Sequence, residues 1–192
     1  MLRCVLGIVA ILGVCGCSKE APHDPNATGS AKESIPSDPD QALYNQVRSG
    51  AYQIGTAVDS IEDVRKTARE IASREKGDTH KALLEVAEHI DDAGQSLADF
   101  SEDPPAFDEF KKNFAAQDEK RLKAIDGANE ALGDLHDAQD VVGDLLDSHP
   151  PEPENTQLTN ADSALDDCIQ SVESAIKTMG GKVTTAKDSK ET

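Results

Sequence analysis

Residues 158–179 read LTNADSALDDCIQSVESAIKTM, and their apolar pattern is the clearest indication of the fold class. Apolar side chains recur in it every three or four residues, over about six helical turns. That spacing places them on one face of an α-helix, with polar residues between them. The positions are Leu158, Ala161, Leu165, Cys168, Val172, Ala175 and Met179. The stretch predicts an amphipathic helix with one buried face, which Gly180-Gly181 ends.

Three earlier segments show the same period. The first follows Asp40, a candidate N-cap, and ends before Gly77. The second begins at Asp78 or Thr79 and ends at Pro104-Pro105. The third runs from Phe107 to the proline-rich residues 149–153, where helix cannot continue. Strand-type alternation is absent from residue 41 onward, so the sequence predicts an all-α domain over residues 40–181, with a disordered tail at 182–192.

Short linkers between amphipathic helices predict an antiparallel bundle of about four long helices. The predicted lengths do not match, since the third segment would be ~64 Å long and the second only ~33 Å. Helix 2 would then cover the first half of helix 3, and helix 4 the second half. Either the bundle is elongated and staggered, or the third helix breaks. Its apolar stripe lapses at Asp118 and Arg121, where we expect the break.

The chain begins with a different pattern. After Arg3, residues 4–14 form an eleven-residue apolar run, CVLGIVAILGV. This run is too short to span a ~30 Å hydrocarbon core and is typical of a secretory signal peptide. At its end stand Val14-Cys15-Gly16-Cys17: a branched apolar residue, a variable one, a small one and a cysteine. These residues resemble the lipobox of bacterial lipoproteins.

The resemblance implies that Cys17 carries a lipid and that residues 1–16 are removed. Several acyl chains, palmitate among them, would anchor the protein stably, since a single chain holds a membrane only marginally. Ser18 is compatible with an outer-membrane location facing the periplasm, in an organism with two membranes. The predicted location is therefore the cell envelope. Cleavage by the ordinary signal peptidase, or an uncleaved anchor, are the alternatives.

Residues 17–39 are predicted to form a lipidated cysteine followed by a disordered tether rich in proline and serine. The tether would reach ~25 Å from the membrane. The predicted mature chain carries 18 basic and 37 acidic residues, a net charge of −19. This charge argues against nucleic acid as a partner. It permits cationic partners or divalent cations, and it also favours solubility.

Cysteine and histidine offer few candidate sites. Cys168 is the one thiol left once the signal peptide is removed and Cys17 is lipidated, so no internal disulfide is expected. Its place in the helical ladder predicts a buried structural thiol, with an intermolecular disulfide as the alternative. His89 lies four residues after Glu85, and His136 lies on the third helix, but no Glu-x-x-His pair is present. We assign no catalytic residue, metal or cofactor.

The phenylalanines form the most informative cluster, since all four lie between residues 100 and 114. A candidate partner patch combines three of them with two lysines: Phe107, Phe110, Phe114, Lys111 and Lys112. The alternative is core packing at a wide end of the bundle, with Phe100 near Tyr52 and Ile54.

These features together predict a non-enzymatic module of the cell envelope that binds another envelope protein or acts as a spacer. Self-association is compatible with the same features. The alternative is a small-ligand or cation-binding module that uses acidic faces around His89 and His136. An enzyme ranks third, because no catalytic motif is visible.

Overall fold

A computed structural model of the protein describes residues 38–184. Within this range the chain forms five α-helices and no strand, which confirms the all-α prediction. The helices are α1 (Pro39–Ala72), α2 (Gly77–Ala98), α3 (Phe107–Lys112), α4 (Phe114–Asp147) and α5 (Glu154–Thr178). The predicted signal peptide, Cys17 and nearly all of the predicted tether lie outside the described residues.

The four long helices form an antiparallel bundle in which α1 and α4 each pack against both α2 and α5. Contacts between α1 and α5 fix their direction. Gln53 Nε2 donates to Ser174 Oγ at 3.1 Å, and one turn later Cys168 Sγ lies 3.6 Å from the carbonyl oxygen of Ala57. Residue numbers therefore rise along one helix as they fall along the other.

The core is aliphatic and rich in alanine. Every position of the ladder in residues 158–179 is buried, as the sequence predicts. Leu83 of α2, Leu135 of α4 and Leu165 of α5 are fully buried, and no polar or charged residue is buried within residues 38–184. Burial of each such leucine contributes about 1.5–3 kcal/mol, so apolar packing holds the bundle together.

The boundaries of the first two helices differ from the prediction. Helix α1 is capped by Asp38, whose Oδ1 accepts from the backbone N–H of Asp40 at 3.1 Å. Pro39 fits the first turn because that turn leaves its N–H groups unpaired. The helix ends at Ala72, and Gly77, with φ of +69°, begins α2. Asp78 and Thr79 therefore lie inside α2 and do not cap it.

The third segment breaks at Asn113, which separates α3 from α4 with non-helical dihedrals of φ −113° and ψ 28°. The predicted break at Asp118 and Arg121 is wrong. Arg121 lies within α4, donates from Nε to Asp118 Oδ1 at 2.8 Å, and donates from Nη1 to the carbonyl oxygen of Met179. The apolar stripe lapses there because Arg121 supplies a donor to the end of α5, where carbonyls lack helical partners.

The break changes how the helices overlap. Helices α2 and α5 both lie along the C-terminal two-thirds of α4. On the side of α4 that faces α2, a Cβ atom placed on Gly127 would lie 2.9 Å from the carbonyl oxygen of Ser96. On the side that faces the end of α5, Asn129 Nδ2 donates to the carbonyl oxygen of Lys182. The N-terminal parts of α1 and α4 therefore extend beyond α2 and α5. Thr184 N–H also donates to Asn129 Oδ1, so residues 182–184 of the predicted tail pack on α4.

Candidate functional site at the aromatic end

We call residues 39–50 of α1, the short helix α3 and residues 114–124 of α4 the aromatic end. Tyr44 lies edge-on to Phe107 and Phe110, with ring centroids 5.4 and 5.3 Å apart. Phe110 in turn lies edge-on to Phe114 at 6.3 Å. This edge-to-face geometry is the favoured one for aromatic pairs. The aromatic residues thus gather at one end of the bundle, as expected.

Phe100 and Tyr52 lie outside this set of ring contacts. Tyr52 points outward and is 74% exposed. Phe100 packs over α4, where a Cβ on Gly127 would lie only 2.8 Å from its ring. Glycine at 127 therefore allows the end of α2 to approach α4 closely.

Members of the candidate partner patch differ in exposure. Phe110 is fully buried and holds α3 against α1 and α4. Phe107 is half-buried, and Phe114 is 36% exposed. Lys111 and Lys112 are both exposed. Parts of two phenylalanines and both lysines therefore reach the surface, while Phe110 is packed beneath them.

Lys111 joins α3 to the start of α1. Its Nζ lies 3.1 Å from Asp38 Oδ2 and 3.4 Å from Asp40 Oδ2. The hydrogen bond with Lys111 lowers the pKa of Asp38, and the same bond raises the pKa of Lys111. The ion pair of Lys111 with Asp38 is exposed to solvent, so it contributes little stability, and its main effect is to orient α3. Across the part of the chain that the structure describes, Lys112 has no carboxylate within 4.0 Å.

A cavity of about 100 Å³ lies beside the aromatic end, and we call it the end cavity. It forms because α2 ends at Ala98 and α5 at Thr178, while α1 and α4 continue. The loop of residues 99–106 closes one side. Apolar side chains form its floor: Val47, Ala51, Phe100, Ala124 and Met179.

Charged residues surround the mouth of the end cavity. The loop contributes the exposed residues Asp99, Glu102 and Asp103, and α4 contributes Lys120. Among residues 38–184, no basic side chain lies within 4.0 Å of those three carboxylates. Exposed Tyr52 lines an adjoining groove together with Asp103. The apolar spacing does not predict this site, because the site depends on where two neighbouring helices end. The only sequence signal for it is the group of carboxylates at Asp99, Glu102 and Asp103, just before Pro104.

The histidines do not converge on one site. His89 of α2 faces Asp134 of α4, whose pKa is raised by partial burial and by the nearby Asp92 carboxylate, with His89 acting in the opposite direction. Asn129 of α4 donates to the carbonyl oxygen of Lys182, so it lies on the side of α4 that faces α5. His136 comes seven residues after Asn129, which is two helical turns, so His136 lies on the same side. His89 and His136 therefore lie on opposite flanks of α4. Over residues 38–184, no group of three or more His, Cys, Asp or Glu side chains is arranged to hold a metal ion.

Cys168 is a buried thiol in the core. Its exposed fraction is 1%, and its Sγ lies 3.6 Å from the carbonyl oxygen of Ala57. Burial raises the thiol pKa to about 12. A thiol must ionise to act as a nucleophile, so Cys168 is unreactive in the folded domain.

Between residues 38 and 184, no helix combines the length and the apolar character needed to cross a membrane. No protein-family model matches the sequence, and no curated protein or solved structure gives a significant match.

Proposed function

We propose that this protein is a membrane-anchored bacterial lipoprotein whose acidic helical domain binds another envelope protein or acts as a spacer. The anchor rests on Val14-Cys15-Gly16-Cys17, which directly follows an apolar run of signal-peptide length. Lipid on Cys17 would place the domain in the cell envelope, at the outer membrane where two membranes exist.

The interaction role rests on the aromatic end. Phe107 and Phe114 are partly exposed beside Lys111 and Lys112, while the rest of the bundle surface is mainly acidic and polar. Aromatic residues are enriched in sites that bind protein partners. The chain before Asp38 joins the domain at this same end, so a tethered domain would keep the patch within reach of proteins near the membrane.

A small-ligand or cation-binding role has less support. It needs carboxylates that converge around His89 and His136, and these histidines lie on opposite flanks of α4.

The anchor is tested by metabolic labelling with a fatty-acid analogue, followed by separation of membrane and soluble fractions. We expect the full chain to be labelled and to sediment with membranes, and Cys17→Ala to lose both properties. Cys15→Ala is the matched control and should keep both, since position 15 is variable in the lipobox. Labelling that survives Cys17→Ala would refute the assignment of Cys17.

The interaction role is tested by a photo-reactive amino acid placed at position 112 in growing cells. We expect one dominant envelope protein to be cross-linked from position 112 and not from position 66. Lys66 is the matched control, because it is an exposed lysine on α1 paired with Glu62 and Asp63. Equal capture from both positions would contradict a specific patch.

A further inference from the structure

We infer that the end cavity and its acidic mouth bind one apolar side chain flanked by lysine or arginine, presented by a segment of a partner protein. The inference rests on the proposed function that the domain binds an envelope protein. It names a second surface beside the aromatic patch and states the chemistry of the segment that fits it.

The size of the end cavity selects a single side chain. Its volume of about 100 Å³ exceeds the ~10–15 Å³ that one water needs. It is well below the ~300 Å³ at which pockets for cofactors and drug-sized ligands begin. The floor of Val47, Ala51 and Met179 is apolar. Interfaces commonly anchor one apolar residue in such a pocket, with weaker contacts around it.

The charges at the mouth select a basic segment. Asp99, Glu102 and Asp103 line the mouth together with Lys120, Arg121 is already bonded to Asp118 and to Met179, and Arg48 lines the adjoining groove. The mouth therefore has a net charge of about −2, or about −1 when Arg48 is counted, and lysine or arginine beside the anchor would complement the carboxylates of the loop.

Tyr52 supplies an aromatic contact beside the mouth. It is the most exposed large apolar side chain in the described part of the chain, at 74%, and it lines the groove that continues from Asp103, together with Arg48. Tyrosines are frequent in binding hot spots. A second copy of this chain is a poor occupant, because each copy carries a net charge of −18 over its full sequence.

The test is an NMR titration of the full isotope-labelled chain in a non-ionic detergent, with the peptide Lys-Lys-Leu-Lys-Lys at 0.15 M salt. We expect amide shifts near Tyr52, Ser101 and Asp103, and none near Asp137. Replacing the leucine by alanine should weaken binding about tenfold or more, the loss expected for one buried leucine. The peptide Glu-Glu-Leu-Glu-Glu should not bind.

Two triple variants separate the site from general electrostatics. Replacement of Asp99, Glu102 and Asp103 by Asn, Gln and Asn should weaken binding about tenfold. The matched control replaces Asp137, Asp140 and Asp144 by Asn, which removes the same charge from exposed positions about 20 Å or more along α4 from the cavity. The control should change binding less than about twofold, and all residues concerned are exposed, so folding should be kept.

Three outcomes would overturn the inference: no binding by the leucine peptide, equal binding by the alanine peptide, or equal weakening in both triple variants. None of them affects the labelling of Cys17, which tests the anchor independently. Specific peptide binding by a chain that is never lipidated would instead retain the site and refute the lipoprotein assignment.

Discussion

Phe110→Ala tests whether the aromatic end is a separate unit of stability. Phe110 is fully buried, packs edge-on against Tyr44 and Phe114, and lies outside the main core cluster of the four-helix bundle. Truncation of a buried phenylalanine to alanine costs about 3–5 kcal/mol. At the lower value, local opening becomes ~150-fold more frequent, since each 1.36 kcal/mol is a factor of ten. We expect this loss in α3 and at the two adjoining helix ends.

Hydrogen exchange of the full chain measures this directly. Amides in residues 107–120 should lose about two orders of magnitude of protection, while amides near Leu135 and Leu165 keep theirs. Leu135→Ala is the matched comparison, because Leu135 is equally buried but lies in the main core, and its truncation should reduce protection throughout the bundle. If Phe110→Ala lowers protection equally in the core, or changes protection at the aromatic end less than about tenfold, the aromatic end is not a separate unit of stability.

Two further predictions concern titratable groups. The raised pKa of Asp134 means that the folded state binds its proton more readily than the unfolded chain, so ionised Asp134 opposes folding at neutral pH. Asp134→Asn should therefore stabilise the domain at pH 7 by about a few tenths of a kcal/mol, and the gain should vanish as the pH falls through the folded pKa towards the ordinary aspartate pKa of 3.8. Denaturant unfolding at pH 7 and pH 3 checks this, with the exposed Asp140→Asn as control; a gain that persists at pH 3 would contradict it. Burial raises the pKa of the Cys168 thiol to about 12, so Cys168 should resist iodoacetamide at pH 8 and react fully in guanidinium chloride. Mass spectrometry would show the difference, and rapid alkylation of Cys168 in the folded chain would contradict the buried assignment.

The apolar period predicted the fold well, because helix formation and burial depend on local spacing. Every predicted ladder position of α5 is buried, and Cys168 lies in the core as expected. The position of the break in the third segment was not predictable in the same way. Arg121 interrupts the apolar stripe, yet it lies in continuous helix because its partner is the carbonyl oxygen of Met179, far away in sequence.

Features of the site depended on tertiary structure to different degrees. The aromatic cluster followed from the spacing of Phe107, Phe110 and Phe114, although its partner is Tyr44 and not Tyr52. The end cavity could not be predicted from spacing. It exists because α2 and α5 end at similar heights beside two longer helices, and those heights are set by how the helices overlap.

Whether a lipid on Cys17 anchors the domain can be measured by intact mass spectrometry of the protein extracted from membranes. We expect a chain that begins at Cys17, lacks residues 1–16, and carries the added mass of a diacylglycerol with or without one further acyl chain. An unmodified chain that begins elsewhere, or one that retains residues 1–16, would refute the lipid anchor.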